Sequence, residues 1–345
     1  MQRYIIHEEA RDMGSDHRVT IKDIAQEAGC SFSAVAKVLN GVRGNVRVGP
    51  ELRARVEAIA TKRGYAPNYG AQVLSRGRAD TIGLLLWNVR TAFWGQLLEG
   101  AYLRLRESGQ QVLALWPEPS EDPFMEAVEL LRQGRVESLI LVGELSPADL
   151  EAAQGSVIRD RLVAAWSPGG SGLTEVVVDH APGVREAVAH LAELGHRSLV
   201  YSMESGAQRH AWAAERWETV QEAAATYRVD CRCVNVDRLP SQLAGATAVM
   251  ALDDPTAFKI MGRLREGGLK IPGDVSLIGY DDVHAHLAAP PLTTIHYGLD
   301  EIGRAAAELA VQLGEDGAPG KTAKVASRLV VRSSTATPHE RRRGA

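Results

Sequence analysis

The chain has 345 residues, a formal net charge of −4 and 45% hydrophobic residues, which exceeds one ordinary domain and fits a soluble globular protein able to bury large cores. No apolar run reaches the roughly 18 residues of a membrane span, and the first residues lack the apolar stretch of a signal peptide. Three cysteines, Cys30, Cys231 and Cys233, make no disulfide framework, so a cytoplasmic protein is expected.

Residues 1–17 show no clear period and are expected to be a disordered lead, with Met13 an alternative start to Met1. From Val19 to Asn40 the chain reads VTIKDIAQEAGCSFSAVAKVLN, which predicts two short helices joined by a tight turn. Thr20 followed by Asp23 is a capping-box start, and Ile21, Ile24, Ala25 and Ala28 fall on one helical face. Gly29 can take the left-handed backbone that closes a helix, and Ser31 can cap the next. Val35, Val38 and Leu39 are expected to turn inward, leaving Phe32, Ser33, Ala36 and Lys37 outward near the start of the second helix. A recognition helix presents side chains to base edges there; an αα-hairpin that only packs is the alternative. Residues 17–78 carry a formal +7 and residues 79–345 a formal −9. A basic head on an acidic body is the asymmetry expected when only the head meets phosphates.

These residues resemble the DNA-binding signature of the lactose-repressor family of bacterial transcription regulators, close to V-T-[IL]-x-D-[IV]-A-x-x-A-G-V-S-x-x-T-V-S-R-V-L-N. The resemblance continues through GYAPN at 64–68 and over most of the remaining chain. It implies DNA contacts from Thr20, Ser31, Phe32, Ser33, Ala34, Lys37 and Asn40, with Phe32, Ser33 and Lys37 reading bases. Ala34 and Ala36 stand where the family has Thr and Ser, and Lys37 replaces its usual Arg. Lysine lacks the planar fork of arginine, so a shifted operator preference is expected.

The loop 41–48 carries Arg43 and Arg47 and is about three residues longer than the family norm; phosphate contact and simple solvation both fit. A third helix should start at Pro50, with Leu52, Val56, Ile59 and Ala60 inward and Gly64 at its end. Asn68 can cap a short helix through Ala71 and Leu74. In relatives this is a hinge helix, with a Leu at the position of Leu74 wedged into a base step from the minor groove and Ala71 beside it. Gly70 is a poor helix former, which suits a segment that orders on DNA. A plain linker is the alternative.

From Thr81 apolar runs alternate with helical segments. TIGLLLW, QVLALW, SLILVG and LVAAW form one set and EVVVD, SLVYS, TAVMAL and VSLIGYDD another. The alternation predicts βαβ units and parallel sheets. Two such halves suggest two doubly wound lobes with a cleft between, the body of a periplasmic-binding-protein-like α/β core. HYGLDEIGRAAAELAVQL resembles the family's helix returning to the first lobe, and a last strand near 324–332 would go back to the second, giving three crossovers. The expected organisation is therefore an all-α helix-turn-helix domain over 18–66, a hinge over 67–79, an effector-binding and dimerising core over 80–336, and a frayed tail over 337–345.

No nucleotide, zinc-protease or nucleophile-elbow motif occurs, and no cofactor, metal or catalytic residue is assigned. Cys231-x-Cys233 lacks companion ligands, and His284 and His286 lack carboxylate support. Ligands of open α/β sheets bind beyond the carboxyl ends of the strands. By resemblance Phe93 and Trp94, Asp179, Asp254 beside Asp253, and Asp281 fall there. The rings can stack on a sugar or base or start a helix core; the carboxylates can accept hydroxyl protons or cap helices. Relatives carry an effector-gripping Arg four residues before the position of Trp217. Here it is Ala213, with His210 and Trp212 nearby and Arg216 in place of a usual Gly.

The expected function is that of a homodimeric repressor on a pseudo-palindromic operator in double-stranded DNA, controlled by a sugar or related metabolite. The alternatives are a small-molecule-binding protein, a sugar-processing enzyme, or a DNA-binding regulator without ligand control.

Overall fold

The computed structural model describes residues 19–40, 47–86, 91–116, 123–143, 145–155, 158–316 and 319–338. The 1–17 lead, Arg43 and most of the tail lie outside these. The chain divides into two units, 1–79 and 80–345.

The first unit holds four helices: α1 (Ile21–Ala28), α2 (Phe32–Asn40), α3 (Pro50–Lys62) and α4 (Tyr69–Arg76). The Thr20 hydroxyl accepts from Asp23 N, and the Asp23 carboxylate accepts from Thr20 N at 2.8 Å. This reciprocal cap satisfies free amides at the start of α1. Gly29 closes it at φ +63°, so the chain can reverse within three residues. Ile24, Val35 and Val56, one from each of the first three helices, are fully buried together with Ala28 and Ala60. Three short helices are stable only because their apolar stripes meet in this way.

The second unit contains two six-stranded sheets. In chain order its elements are β1 (Thr81–Leu86), α5 (Ala92–Glu107), β2 (Gln111–Leu115), α6 (Pro123–Arg132), β3 (Ser138–Val142), α7 (Pro147–Gln154), β4 (Leu162–Ser167) and β5 (Thr174–Asp179). There follow α8 (Ala181–Glu193), β6 (Ser198–Met203), α9 (Ala211–Tyr227), β7 (Asp230–Asn235), β8 (Ala248–Ala251), α10 (Asp254–Glu266), β9 (Ser276–Tyr280), β10 (Thr293–His296), α11 (Leu299–Asp316), β11 (Thr322–Ala326) and β12 (Arg328–Val330). The sheet orders are β11-β5-β4-β3-β1-β2 and β12-β10-β9-β8-β6-β7. Every pair is parallel except β10 with β12.

The chain passes between the lobes three times: after β5, after β10 and between β11 and β12. The last stretch, expected as one strand, is two. β11 extends the first sheet, and after Ser327 β12 joins the second. Ser327 makes that switch possible: its hydroxyl lies 2.9 Å from Asp179 O and 3.0 Å from His180 O and accepts from Gly183 N. Two crossover strands are thus stitched together where they leave their sheets. α11 returns to the first lobe and lies against α5. Glycine allows the approach: a Cβ on Gly303 would stand 2.0 Å from Leu97 O, and one on Gly100 would stand 2.0 Å from Asp300 O.

Candidate DNA-reading surface and effector cleft

In the head, the Ser31 hydroxyl accepts from Ala34 N at 3.2 Å, so it caps α2 from an exposed position. Phe32 is 58% exposed and Ser33 is exposed beside it. Lys37, one turn on, is half-exposed. Thr20 is exposed at the start of α1. An exposed phenylalanine at the beginning of a capped helix has no packing role in its own unit. Ala34 and Ala36 are buried, and so is Asn40. The outward orientation expected for Ala36 is therefore not found: a methyl group is covered easily in a helix packed against α1, α3 and α4.

α4 is a formed helix. The Asn68 side chain accepts from Ala71 N at 3.2 Å, and Gly77 closes the C-terminus at φ +72°. The Tyr69 hydroxyl donates to Ala79 O, which gives the helix a second tie and offsets the low propensity of Gly70. Ala71 is exposed, and Leu74 is 87% exposed. The structure thus brings Phe32, Ser33, Lys37, Ala71 and Leu74 to solvent within one basic unit.

In the body, the strand ends carry an aromatic cluster that joins the two lobes. From the first lobe come Phe93 and Trp94 at the start of α5 and Trp166 near the end of β4. Phe93 and Trp94 meet edge to face at 4.6 Å between centroids, and Trp166 lies 5.6 and 5.9 Å from them. From the second lobe Trp212, in the first turn of α9, approaches Trp166 at 5.9 Å. His210 stacks on Trp212 at 6.0 Å. Tyr297, at the second crossover, faces Phe93 at 6.3 Å and Tyr280 at 5.8 Å.

Beneath these rings lies a buried ion pair. Arg216 is 1% exposed, and its Nη2 stands 3.5 Å from Asp281 Oδ1. Its Nη1 donates to Leu252 O at 2.9 Å, and its Cζ lies 4.0 Å from the Tyr280 ring centroid and 4.8 Å from that of Trp212. Tyr297 donates to Asp281 Oδ1 at 2.9 Å. Burial pushes the Asp281 carboxyl well above its usual range, against the pull of Arg216. Burial, with the Arg216 charge adding to it, holds His180 neutral well below its usual range; its Nδ1 lies 2.7 Å from the Tyr280 hydroxyl. Trp166 and Asp281 have positive φ of 61° and 99°, a conformation that costs non-glycine residues about 1–3 kcal/mol and collects at functional sites.

The carboxylates expected to contact an effector each have partners. Asp179 accepts from Ala181 N at 3.1 Å. Asp254 is buried, accepts from Thr294 Oγ1 at 2.9 Å and Val283 N at 3.1 Å, and is pushed up to about 7 mainly by burial. Its neighbour Asp253 caps α10 through Thr256 N at 2.7 Å. Arg216, Trp166, Tyr280 and Tyr297 were not among the expected site residues. Ala213 and Arg216 are both buried on α9, three residues apart. Where counting from Trp217 finds Ala213, a guanidinium, that of Arg216, stands about one helical turn further along the same buried face.

A four-helix basic head followed by two parallel-sheet lobes with a polar-aromatic cluster at their strand ends defines a regulator class: a helix-turn-helix reader joined to a periplasmic-binding-protein-like sensor. Residues 20–68 match the bacterial regulatory proteins of the lacI family, and residues 188–335 match a periplasmic binding protein-like domain. The chain is 30% identical over 312 residues to the HTH-type transcriptional regulator GalS of Salmonella typhimurium, covering 85% of this chain and 89% of GalS. It is 26% identical to the HTH-type transcriptional repressor PurR of Haemophilus influenzae, covering 85% and 90%. The fold matches the lac repressor dimer bound to operator and the anti-inducer ONPF, with TM-score 0.78, 24% identity, and 92% and 99% of the two chains covered. It also matches a transcriptional regulator CelR–cellobiose complex, with TM-score 0.64, 23% identity, and 92% and 100% covered. The chain belongs to the lacI family of bacterial regulatory proteins.

Proposed function

We propose that the protein is a repressor that acts in the cytoplasm as a homodimer on a pseudo-palindromic operator, and that a small metabolite in the cleft between its lobes sets its affinity for DNA. The single observation that carries the DNA-binding part is the exposed Phe32–Ser33 pair at the capped start of α2. Those side chains, with Lys37, read base edges in the major groove. Thr20, Ser31 and the remainder of the basic surface position the head on phosphates. Leu74 enters a base step from the minor groove, with Asn68 and Ala71 setting the helix that carries it.

The named roles of GalS and PurR as regulators, the operator in the lac repressor complex and the cellobiose in the CelR complex support this reading. In the cleft, Phe93, Trp94, His210, Trp212 and Asp281 line the effector site, while Asp179 and Asp254 hold the strand ends that shape it. The protein works by binding, not by turnover. A ligand changes the DNA affinity only through its different affinity for two lobe arrangements.

Gel retardation with DNA from upstream of the protein's own gene tests the proposal. Salt-sensitive retardation is expected; its absence with folded protein contradicts it.

A further inference from the structure

The cleft leaves one kind of chemistry unanswered. The carboxylates near it already accept from groups of the chain: Asp179 from Ala181 N, Asp253 from Thr256 N, Asp254 from Thr294 and Val283, and Asp281 from Tyr297. Hydroxyl recognition depends on free acceptors of that sort. Of the buried donors that have no acceptor among the described residues, two belong to the aromatic cluster: Arg216 Nε and Trp166 Nε1. Buried N–H groups in folded proteins are nearly always hydrogen-bonded, and an exception at a strand-end cleft points to a ligand atom. Both residues neighbour Trp212, whose ring centroid is 4.8 Å from Arg216 Cζ and 5.9 Å from that of Trp166. Aromatic rings of Phe93, Trp94 and Tyr297 complete the cluster around Trp166 and Trp212.

We propose that the effector is a small aromatic carboxylate rather than a polyhydroxylated sugar. Its ring enters between Trp166 and Trp212, and its carboxylate gives Arg216 Nε and Trp166 Nε1 the acceptor they lack. This rests on the reading of the cleft as an effector site. A ring meets ring faces here at little desolvation cost. A carboxylate beside a buried guanidinium forms a charge-assisted hydrogen bond, the strong kind. The high-lying Asp281 carboxyl fits the same picture, since it offers Arg216 a weakened counter-charge. Trp166 belongs to the first lobe and Trp212 to the second, so a ring that parts them changes the contact between lobes, the variable a regulator needs.

The test is a titration of the full chain with benzoate and indole-3-carboxylate, with galactose and ribose alongside, read by tryptophan fluorescence and by melting temperature. Saturable quenching and a raised melting temperature are expected with the aromatic acids and not with the sugars. Trp166→Phe keeps a ring and removes the donor; it should weaken aromatic-acid binding about tenfold, the loss of one hydrogen bond to a charged group. Arg216→Lys should weaken it at least as much; if that variant does not fold, Trp166→Phe decides. Saturation by a sugar with no response to either acid overturns the proposal. So does silence from all four compounds, or equal affinity of the wild type and Trp166→Phe. Retardation of operator DNA by the same sample separates the two readings. DNA binding without an aromatic-acid response refutes the ligand class alone, whereas loss of DNA binding refutes the regulator itself.

Discussion

Replacing Arg216 by Met removes a deeply buried charge and leaves its partners in place. Asp281 Oδ1 stands 3.5 Å from Arg216 Nη2, a separation worth about 5 kcal/mol of attraction at an effective dielectric of about 20. Part of that returns because the guanidinium no longer has to be desolvated. Leu252 O also loses its donor, and an unmet buried acceptor costs about 1–3 kcal/mol. The net loss should therefore be about 3–5 kcal/mol, as for other buried pairs broken from one side. Asp281 can relieve the loss by taking up a proton, since its carboxyl already lies high. A carboxyl whose folded pKa is raised loses stability as pH climbs from its unfolded value toward its folded one. Loss of the Arg216 charge raises that carboxyl further, so the penalty of Arg216→Met should be no smaller at pH 8 than at pH 5. Adding Asp281→Asn should recover much of it, because no uncompensated charge is left. Urea unfolding followed by tryptophan fluorescence, at both pH values, measures all three proteins. A single-variant loss below about 1 kcal/mol, or a double variant no better than the single, would refute the idea that the ion pair organises the cleft.

Gly303→Ala should destabilise the body by about 2–3 kcal/mol, since its methyl would meet Leu97 O at 2.0 Å and force α11 off α5; a melting curve checks it, and an unchanged midpoint would contradict the packing. Asp254, pushed up to about 7, favours the folded state when protonated, so its contribution falls as pH rises from about 4 through 7. Asp254→Asn should flatten that part of the stability–pH profile relative to the wild type. Leu74→Ala should leave the melting temperature in place, because the side chain is 87% exposed, yet weaken operator binding about tenfold or more as the wedge is lost. Lys37→Arg should shift operator preference toward guanine at the base it faces, measurable by selection from a randomised site.

The head was legible because its signals are local. The Thr20–Asp23 cap, Gly29 and the apolar period each act within a few residues, and the structure realises all three. What lay beyond them depended on tertiary packing: Ala36, expected outward on its own helix, is buried. The two lobes followed from the alternation of strands and helices, and the three crossovers from the family resemblance. EVVVD, however, grouped with the second set, is β5 of the first sheet. The switch at Ser327 was not legible, because its cause is a hydroxyl gripping a strand nearly 150 residues away. In the cleft, Phe93, Trp94 and Asp281 were expected by family position beyond strand ends and Trp212 as a neighbour of Ala213, and the structure gathers these four in or beside one aromatic cluster. Arg216 was missed because it was sought at 213. One signal was present: Ala213, Arg216, Val220 and Ala223 form a single buried stripe on α9, and a charged residue on such a stripe needs a buried partner. Trp166 gave no such sign, since it closes an ordinary apolar strand run.

The account stands or falls on whether the basic head grips duplex DNA. Fluorescence anisotropy of a labelled upstream fragment, measured with the intact protein over a range of salt concentrations, tests this most directly. The account predicts tight binding at low salt, a logarithm of affinity that falls linearly with the logarithm of salt, and markedly weaker binding when Phe32 is changed to Ala. An anisotropy that stays at the value of free DNA throughout, or binding indifferent to both salt and Phe32, would contradict it.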